Sequence, residues 1–191
     1  MQLALYSLNI SRTSFATNPP TIQTLKLTDL PGNAGLITRE VFQLRIAGKF
    51  LIAACSLISG SPSGSGIYFF DISDPIEGLV YKQNMRITDF GNVKGFTVSG
   101  RYLYVNYSGV VNTVKTFDIL QPTPLLVSSV NTALAVDGQV FSNSTYLFIV
   151  KSNGYQIWNI ADDPSQPVFE DDSVAGLFSN NTYAILDKNV F

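Results

Sequence analysis

Along this chain, short runs of alternating apolar and polar residues are separated by clusters of Gly, Pro, Asn, Asp and Ser. Alternation puts every second side chain on one face of an extended strand, whereas an amphipathic helix needs apolar residues at i, i+3, i+4 and i+7. Almost no segment has the helical spacing. The runs LALYSLNI, TIQTLKL, FQLRI, FLIAAC, IYFFDI, LVYKQ, FTV, YLYV, TVKTFDI, LLVSSV, QVF, YLFIV, YQIWNI and YAIL are rich in β-branched and aromatic residues and predict strands. The expected class is all-β.

Strands this short and evenly spaced call for a search for internal repeats. Two anchors recur. One is an aromatic that follows a tight turn: Phe50 after AGK, Tyr102 after SGR, Tyr146 after SNST and Tyr183 after SNNT. The other is the Asp or Asn of an "FDI" element: Asp71, Asp118 and Asn159, with Asn9 of LNI as a fourth copy. From aromatic to polar anchor the separations are 21 (Phe50 to Asp71), 16 (Tyr102 to Asp118) and 13 residues (Tyr146 to Asn159). The fourth pair lies at opposite ends of the chain. Counting on from Tyr183 through Phe191 to Met1 and Asn9 gives 17, inside the same range.

That count predicts a ring. Each unit would supply four antiparallel strands, and units of about 40–50 residues match propeller blades. The expectation is a single four-bladed β-propeller domain over 1–191, blade 4 being closed by C-terminal strands pairing with N-terminal strands. Blade 1 would cover about 41–92, blade 2 about 93–135 and blade 3 about 136–173, with blade 4 split between 1–40 and about 174–191. Closure removes the two bare sheet edges that an open array would leave.

Within the repeat, Asp71, Asp118, Asn159 and Asn9 stand at strand ends, where a short polar side chain can cap backbone N–H groups of a turn. Pro then stops the pairing, as in DISDP, LQPTP, DDPSQP and NPP. Their first reading is structural, with a ligand role as the alternative.

The segments IYFFDISDPIEGLVY and VKGFTVSGRYLYVN resemble the LVIVD repeat of bacterial and archaeal β-propellers, most sharply in blades 1 and 2. The resemblance implies a propeller and a non-enzymatic, extracellular or cell-surface setting. Proteins of that kind usually carry more blades, so a fragment of a longer propeller is the alternative to a ring of four. Such motifs specify fold rather than function.

Composition narrows the chemistry. Hydrophobic residues make up 46% of the 191, enough for a packed core, while charged residues are only 14% and the formal net charge is −2. Without a basic stripe there is no electrostatic footprint for nucleic acid. No apolar run is long enough to span a membrane as a helix. The N-terminal MQLALYSLNIS alternates and lacks a basic leader, so it does not read as a signal peptide. Cys55 is the only cysteine and lies in LIAACSLI, which predicts a small buried side chain and excludes an intrachain disulfide or a thiolate cluster. The chain has no histidine, which removes the commonest general base, the usual zinc ligand and every Ser-His or Cys-His pair.

Carboxylate pairs are the catalytic vocabulary that remains: Asp71 with Asp74, Asp162 with Asp163, and Glu170 to Asp172. Most fall in turn or edge contexts, where solvated acids are ordinary. A calcium loop of the D-x-D-x-D-G kind is missing, and GSPSGSG at 60–66 lacks the Lys and the following helix of a phosphate loop. No cofactor is expected, although backbone carbonyls in a propeller channel could hold an ion. Four N-x-[ST] triplets start at Asn9, Asn106, Asn143 and Asn180, as expected in an Asn- and Ser/Thr-rich β protein. Trp158 belongs to the repeated strand and is expected in the core.

In a propeller, loops between the second and third strands share a face with those between blades. That face would collect 55–66, 106–112, 151–155 and 187–189, with 28–40 and 86–92 between blades. These loops are rich in Gly, Ser, Asn and Tyr, a composition suited to adaptable recognition. Tyr107, Lys151, Asn153 and Asp187 are the candidate binding residues. The leading functional expectation is a non-catalytic module presenting this face to a protein or glycan partner. A structural or assembly domain of a larger surface or particle protein comes second, and a carboxylate hydrolase third.

Overall fold

The structure is a computed structural model. It describes residues 4–8, 22–26, 39–57, 66–74, 77–86, 92–108, 113–121, 124–132, 139–151, 154–173, 185–186 and 189–190. Every regular element among these residues is a β-strand, and no helix is long and apolar enough to cross a membrane. The chain divides into two compact units, Met1–Phe90 and Gly91–Phe191.

The first unit holds strands β1 (Ala4–Leu8), β2 (Ile22–Lys26), β3 (Arg39–Ala47), β4 (Phe50–Leu57), β5 (Gly66–Asp71) and β6 (Val80–Arg86). Strands β1 and β2 pair antiparallel, and β3 to β6 form a four-stranded antiparallel sheet in chain order. The second unit holds β7 (Asn92–Ser99), β8 (Tyr102–Ser108), β9 (Thr113–Asp118) and β10 (Leu125–Asn131), which form a second such sheet. A third is built from β11 (Gln139–Ser142), β12 (Tyr146–Lys151), β13 (Gly154–Asn159) and β14 (Val168–Ser173). The unit ends with β15 (Ile185–Leu186) paired to β16 (Asn189–Val190). The chain is therefore all-β, with three propeller-like meanders of four strands.

The three sheets share their irregularities. In each, the fourth strand carries one extra residue opposite the third: Lys82 in β6, Val127 in β10 and Glu170 in β14. The first strand is bulged in the same way at Phe42 in β3 and Lys94 in β7, whereas the shorter β11 pairs without interruption. A bulge bends its strand and increases the local twist. It recurs at the same place in all three fourth strands.

Middle strands β4, β5, β8 and β12 are buried on both faces, whereas β9 alternates between buried and half-buried positions. Ile52 to Cys55 in β4 and Gly66 to Phe70 in β5 are all inaccessible or nearly so, as are Leu103 to Tyr107 in β8 and Leu147 to Val150 in β12. Such strands read as continuous apolar runs rather than strict alternation, since neither face meets water. Cys55 is one of these residues, packed with Ala53, Tyr68, Phe70 and Leu79.

Within the second unit the two four-stranded sheets lie against each other. Tyr104 and Val114 from one join Val140, Leu147, Ile149, Trp158 and Ile160 from the other in one core. The Tyr104 hydroxyl donates to the Pro164 carbonyl at 2.6 Å, and the hydroxyls of Thr97 and Ser142 share a hydrogen bond of 3.0 Å. The first strands come closest: a Cβ on Gly95 of β7 would stand 3.2 Å from both Gln139 Cα and Val140 N of β11. Glycine here permits the backbone approach.

A different glycine requirement operates at Gly48, whose φ is +56° and where a Cβ would meet nothing within 4 Å. The two sites separate under substitution. Gly95→Val and Gly95→Asn should each cost about 1–3 kcal/mol through overpacking. Gly48→Val should cost about 1–2 kcal/mol through left-handed backbone strain, most of it recovered in Gly48→Asn, because Asn tolerates that conformation. Denaturant titration of the four variants checks this, and a similar loss for both Asn variants would contradict it.

Candidate functional site

The two sequence anchors are cross-strand partners. Phe50 faces Asp71, Tyr102 faces Asp118 and Tyr146 faces Asn159 across the second and third strands of their sheets. The residue after each polar anchor then donates its backbone N–H to the carbonyl just before the aromatic. Ile72 bonds Lys49 at 2.8 Å, Ile119 bonds Arg101 at 3.0 Å and Ile160 bonds Thr145 at 2.8 Å. One clasp thus closes the same end of all three sheets.

The anchor side chains bind their own turns. Asp71 Oδ1 accepts from Ser73 N at 2.9 Å and Ser73 Oγ at 2.6 Å, and Asn159 Oδ1 accepts from Ala161 N at 2.9 Å. Asp118 Oδ1 accepts from Leu120 N at 3.1 Å and Arg101 Nε at 3.1 Å, while Oδ2 accepts from Gln121 Nε2 at 3.1 Å and from Arg101 Nη2. The structural reading of Asp71, Asp118 and Asn159 therefore holds; Asn9 lies outside the described residues.

These bonds stabilise the charged carboxylates. The Ser73 hydroxyl and amide, with Lys49 at 3.9 Å and Lys82 at 3.8 Å, hold Asp71 below the usual carboxylate range. Asp118 is held down to about 2, chiefly by its Arg101 hydrogen bonds and then by Gln121. Asp163 is lowered by Ser165, whose hydroxyl and amide bond its Oδ1 at 2.6 and 2.9 Å. Asp74 serves another turn: its carbonyl takes Gly78 N at 3.0 Å and its Oδ1 takes Glu77 N at 3.3 Å. A general acid near neutral pH needs a raised pKa, and Asp71, Asp118 and Asp163 shift the other way. Among the described residues, no group of three or more His, Cys, Asp or Glu converges as a metal site would require.

At the opposite end lie the connections from second to third strand, closed by the pairs Cys55–Gly66, Tyr107–Thr113 and Lys151–Gly154. Tyr107 is 3% exposed in β8, with Lys115 Nζ 5.1 Å from its ring centroid. Its side chain is therefore buried in the sheet rather than presented at the loop end. Lys151 ends β12, opposite Gly154. Asn153 and Asp187 lie outside the described residues, as do residues 28–38, 58–65, 87–91, 109–112 and 187–188 of the loops.

Two residues missed by sequence reasoning complete the clasp. Arg101 grips Asp118 through two nitrogens while its guanidinium carbon lies 5.6 Å from the Tyr102 ring centroid; Lys49 stands at the same place beside Phe50, 5.2 Å from that ring. A cation directly before the aromatic anchor was the available signal. In the third sheet Ser144 stands two residues before the aromatic, where the other hairpins have Gly48 and Gly100, and Asn143 Oδ1 accepts from Thr145 N at 2.8 Å and Tyr146 N at 2.6 Å. Asn106 is fully buried, so two of the four N-x-[ST] triplets have structural asparagines. Trp158 is 6% exposed and meets Phe169 edge-on, centroids 5.3 Å apart, as expected of a core residue.

Compared with protein-family models and with curated protein sequences, the chain matches none. The resemblance to LVIVD repeats therefore rests on the motif residues alone.

The depressed pKa of Asp118 sets a pH dependence. Its folded value of about 2 is below the ordinary aspartate value of about 4. In that window the unfolded chain binds more protons, so stability rises with pH. The contribution is complete above about pH 4 and is lost as pH falls through about 2. Asp118→Asn should lower the melting temperature at pH 7 and flatten its dependence between these limits. Thermal melts across the range check this, and an unchanged acid slope would contradict it.

Proposed function

We propose that the chain is a non-catalytic interaction module, built as a four-bladed β-propeller of LVIVD-like repeats, that presents the loops opposite the clasps to a protein or glycan partner. In this reading the three four-stranded sheets are blades 1 to 3. Strands β1 and β2 form the last half of blade 4, completed by strands from the C-terminal segment. Burial of β4, β5, β8 and β12 on both faces supports the reading, since a blade is covered by a neighbour on each side.

One observation carries the functional assignment. At the clasp end the described polar anchors are committed to their own backbone, and the same arrangement recurs three times. At the other end the connections differ in every sheet, with eight residues between Leu57 and Gly66, four between Ser108 and Thr113, and two between Lys151 and Gly154. Repeated features serve the scaffold, and unrepeated loops on a rigid scaffold are where recognition concentrates. The second reading, an assembly domain, is favoured by apolar side chains exposed on β10 and β14: Leu125, Leu126, Val127, Val168 and Phe169.

Replacing residues 58–65 and 109–112 with short Gly-Asn turns tests the loop face while sparing Cys55 and Tyr107. Glycan arrays and pull-downs should find partners of the wild-type chain that the folded loop variants lose. Binding unchanged by both replacements would overturn the assignment.

A further inference from the structure

In the second unit, Thr116 Oγ1, Ser128 Oγ and Trp158 Nε1 are buried without a hydrogen-bond partner among the described residues. All three belong to the layer between the two four-stranded sheets. Thr116 pairs with Tyr104 on one side and Ser128 on the other, and cross-strand partners share a face. Val114 and Val130, two residues away on β9 and β10, lie on that face too, and both pack into the core that contains Tyr104 and Trp158. The Tyr104 hydroxyl gives its proton to the Pro164 carbonyl, so it donates to none of the three. Thr116 is fully buried and Trp158 is 6% exposed, so bulk solvent does not serve them.

The repeat marks this place as exceptional. Two residues before the polar anchor the sister sheets carry Phe69 and Ile157, 2% and 3% exposed, where β9 carries Thr116. Threonine fills less space than either, and a buried hydroxyl left unpaired costs more than an apolar side chain of the same shape. Buried water commonly satisfies such groups, making about two to four hydrogen bonds to them. We propose that one ordered water molecule is built into the join between the second and third sheets, accepting from Trp158 Nε1 and hydrogen-bonding the hydroxyls of Thr116 and Ser128. The donors and acceptors are complementary. An indole N–H only donates, whereas a hydroxyl donates and accepts, so a single water can take the indole proton and still bond both hydroxyls. A direct bond between the two hydroxyls would leave the indole unserved. Such a water belongs to the join between the sheets and not to the proposed binding loops, so it stands apart from the interaction role.

Thr116→Val keeps the shape of the side chain and removes its hydroxyl. With a bridging water, the full-length variant should melt about 2–4 °C lower or more, because Trp158 and Ser128 lose a shared partner. In a dry layer the same change would delete an unpaired buried hydroxyl and raise the melting temperature. Magnetic relaxation dispersion of the water oxygen counts long-lived internal waters. It should find about one fewer in Thr116→Val than in the wild type, with Thr116→Ser keeping the wild-type count. Circular dichroism verifies folding, and if Thr116→Val does not fold, Ser128→Ala takes the same two readings from the other hydroxyl. A higher melting temperature on loss of the hydroxyl, or an internal-water count unchanged by that loss, would overturn the proposal.

Discussion

In each described four-stranded sheet, a backbone hydrogen bond runs from the residue after the polar anchor to the carbonyl before the aromatic. It ties the end of the third strand to the start of the second, and it fixes the register in which Phe50 meets Asp71, Tyr102 meets Asp118 and Tyr146 meets Asn159. Register matters because a slip of one residue exchanges the two faces of a strand. In β4, β5, β8 and β12, which are buried on both sides, such a slip would exchange the core side chains between layers. The Asp or Asn side chain reinforces the clasp by bonding the turn that follows, and the bulge two pairs inward curves the fourth strand around it.

Much of this was legible in the chain. Aromatic and polar anchors were visible because both lie in repeated contexts, and three of the four pairs are cross-strand neighbours in the structure; the fourth, Tyr183 with Asn9, lies outside the described residues. The bulges were not legible. Lys82, Val127 and Glu170 share a backbone role and no side-chain property, so residue type carries no trace of the extra residue. Tyr107 shows another limit. Its place near the end of YLYVNYS suggests a loop-side residue, but β8 is covered on both faces, and alternation cannot signal exposure where neither face meets water. The grip of Arg101 on Asp118 was also hidden, because the two are 17 residues apart and only the clasp brings them together.

The geometry divides the ends of each sheet by role. At the clasp end, Asp71, Asp118 and Asp163 are engaged by hydroxyls, amides, lysines or arginine. At the other end the chain departs from its own repeat. The repeated base and the unequal lengths of the connections at the other end are the two features on which the proposed interaction role rests. The polar anchors Asp71, Asp118 and Asn159 are fixed points of the scaffold, as their place at strand ends leads one to expect.

Native-state hydrogen exchange at three amides measures the clasp most directly. If the bond from the residue after each anchor closes its sheet, the N–H groups of Ile72, Ile119 and Ile160 should exchange nearly as slowly as those of the central strands β5, β9 and β13, although all three lie beyond the strand ends. Exchange of these amides at the rate of open turns would contradict the account, because the register of each sheet would then depend on something other than the clasp.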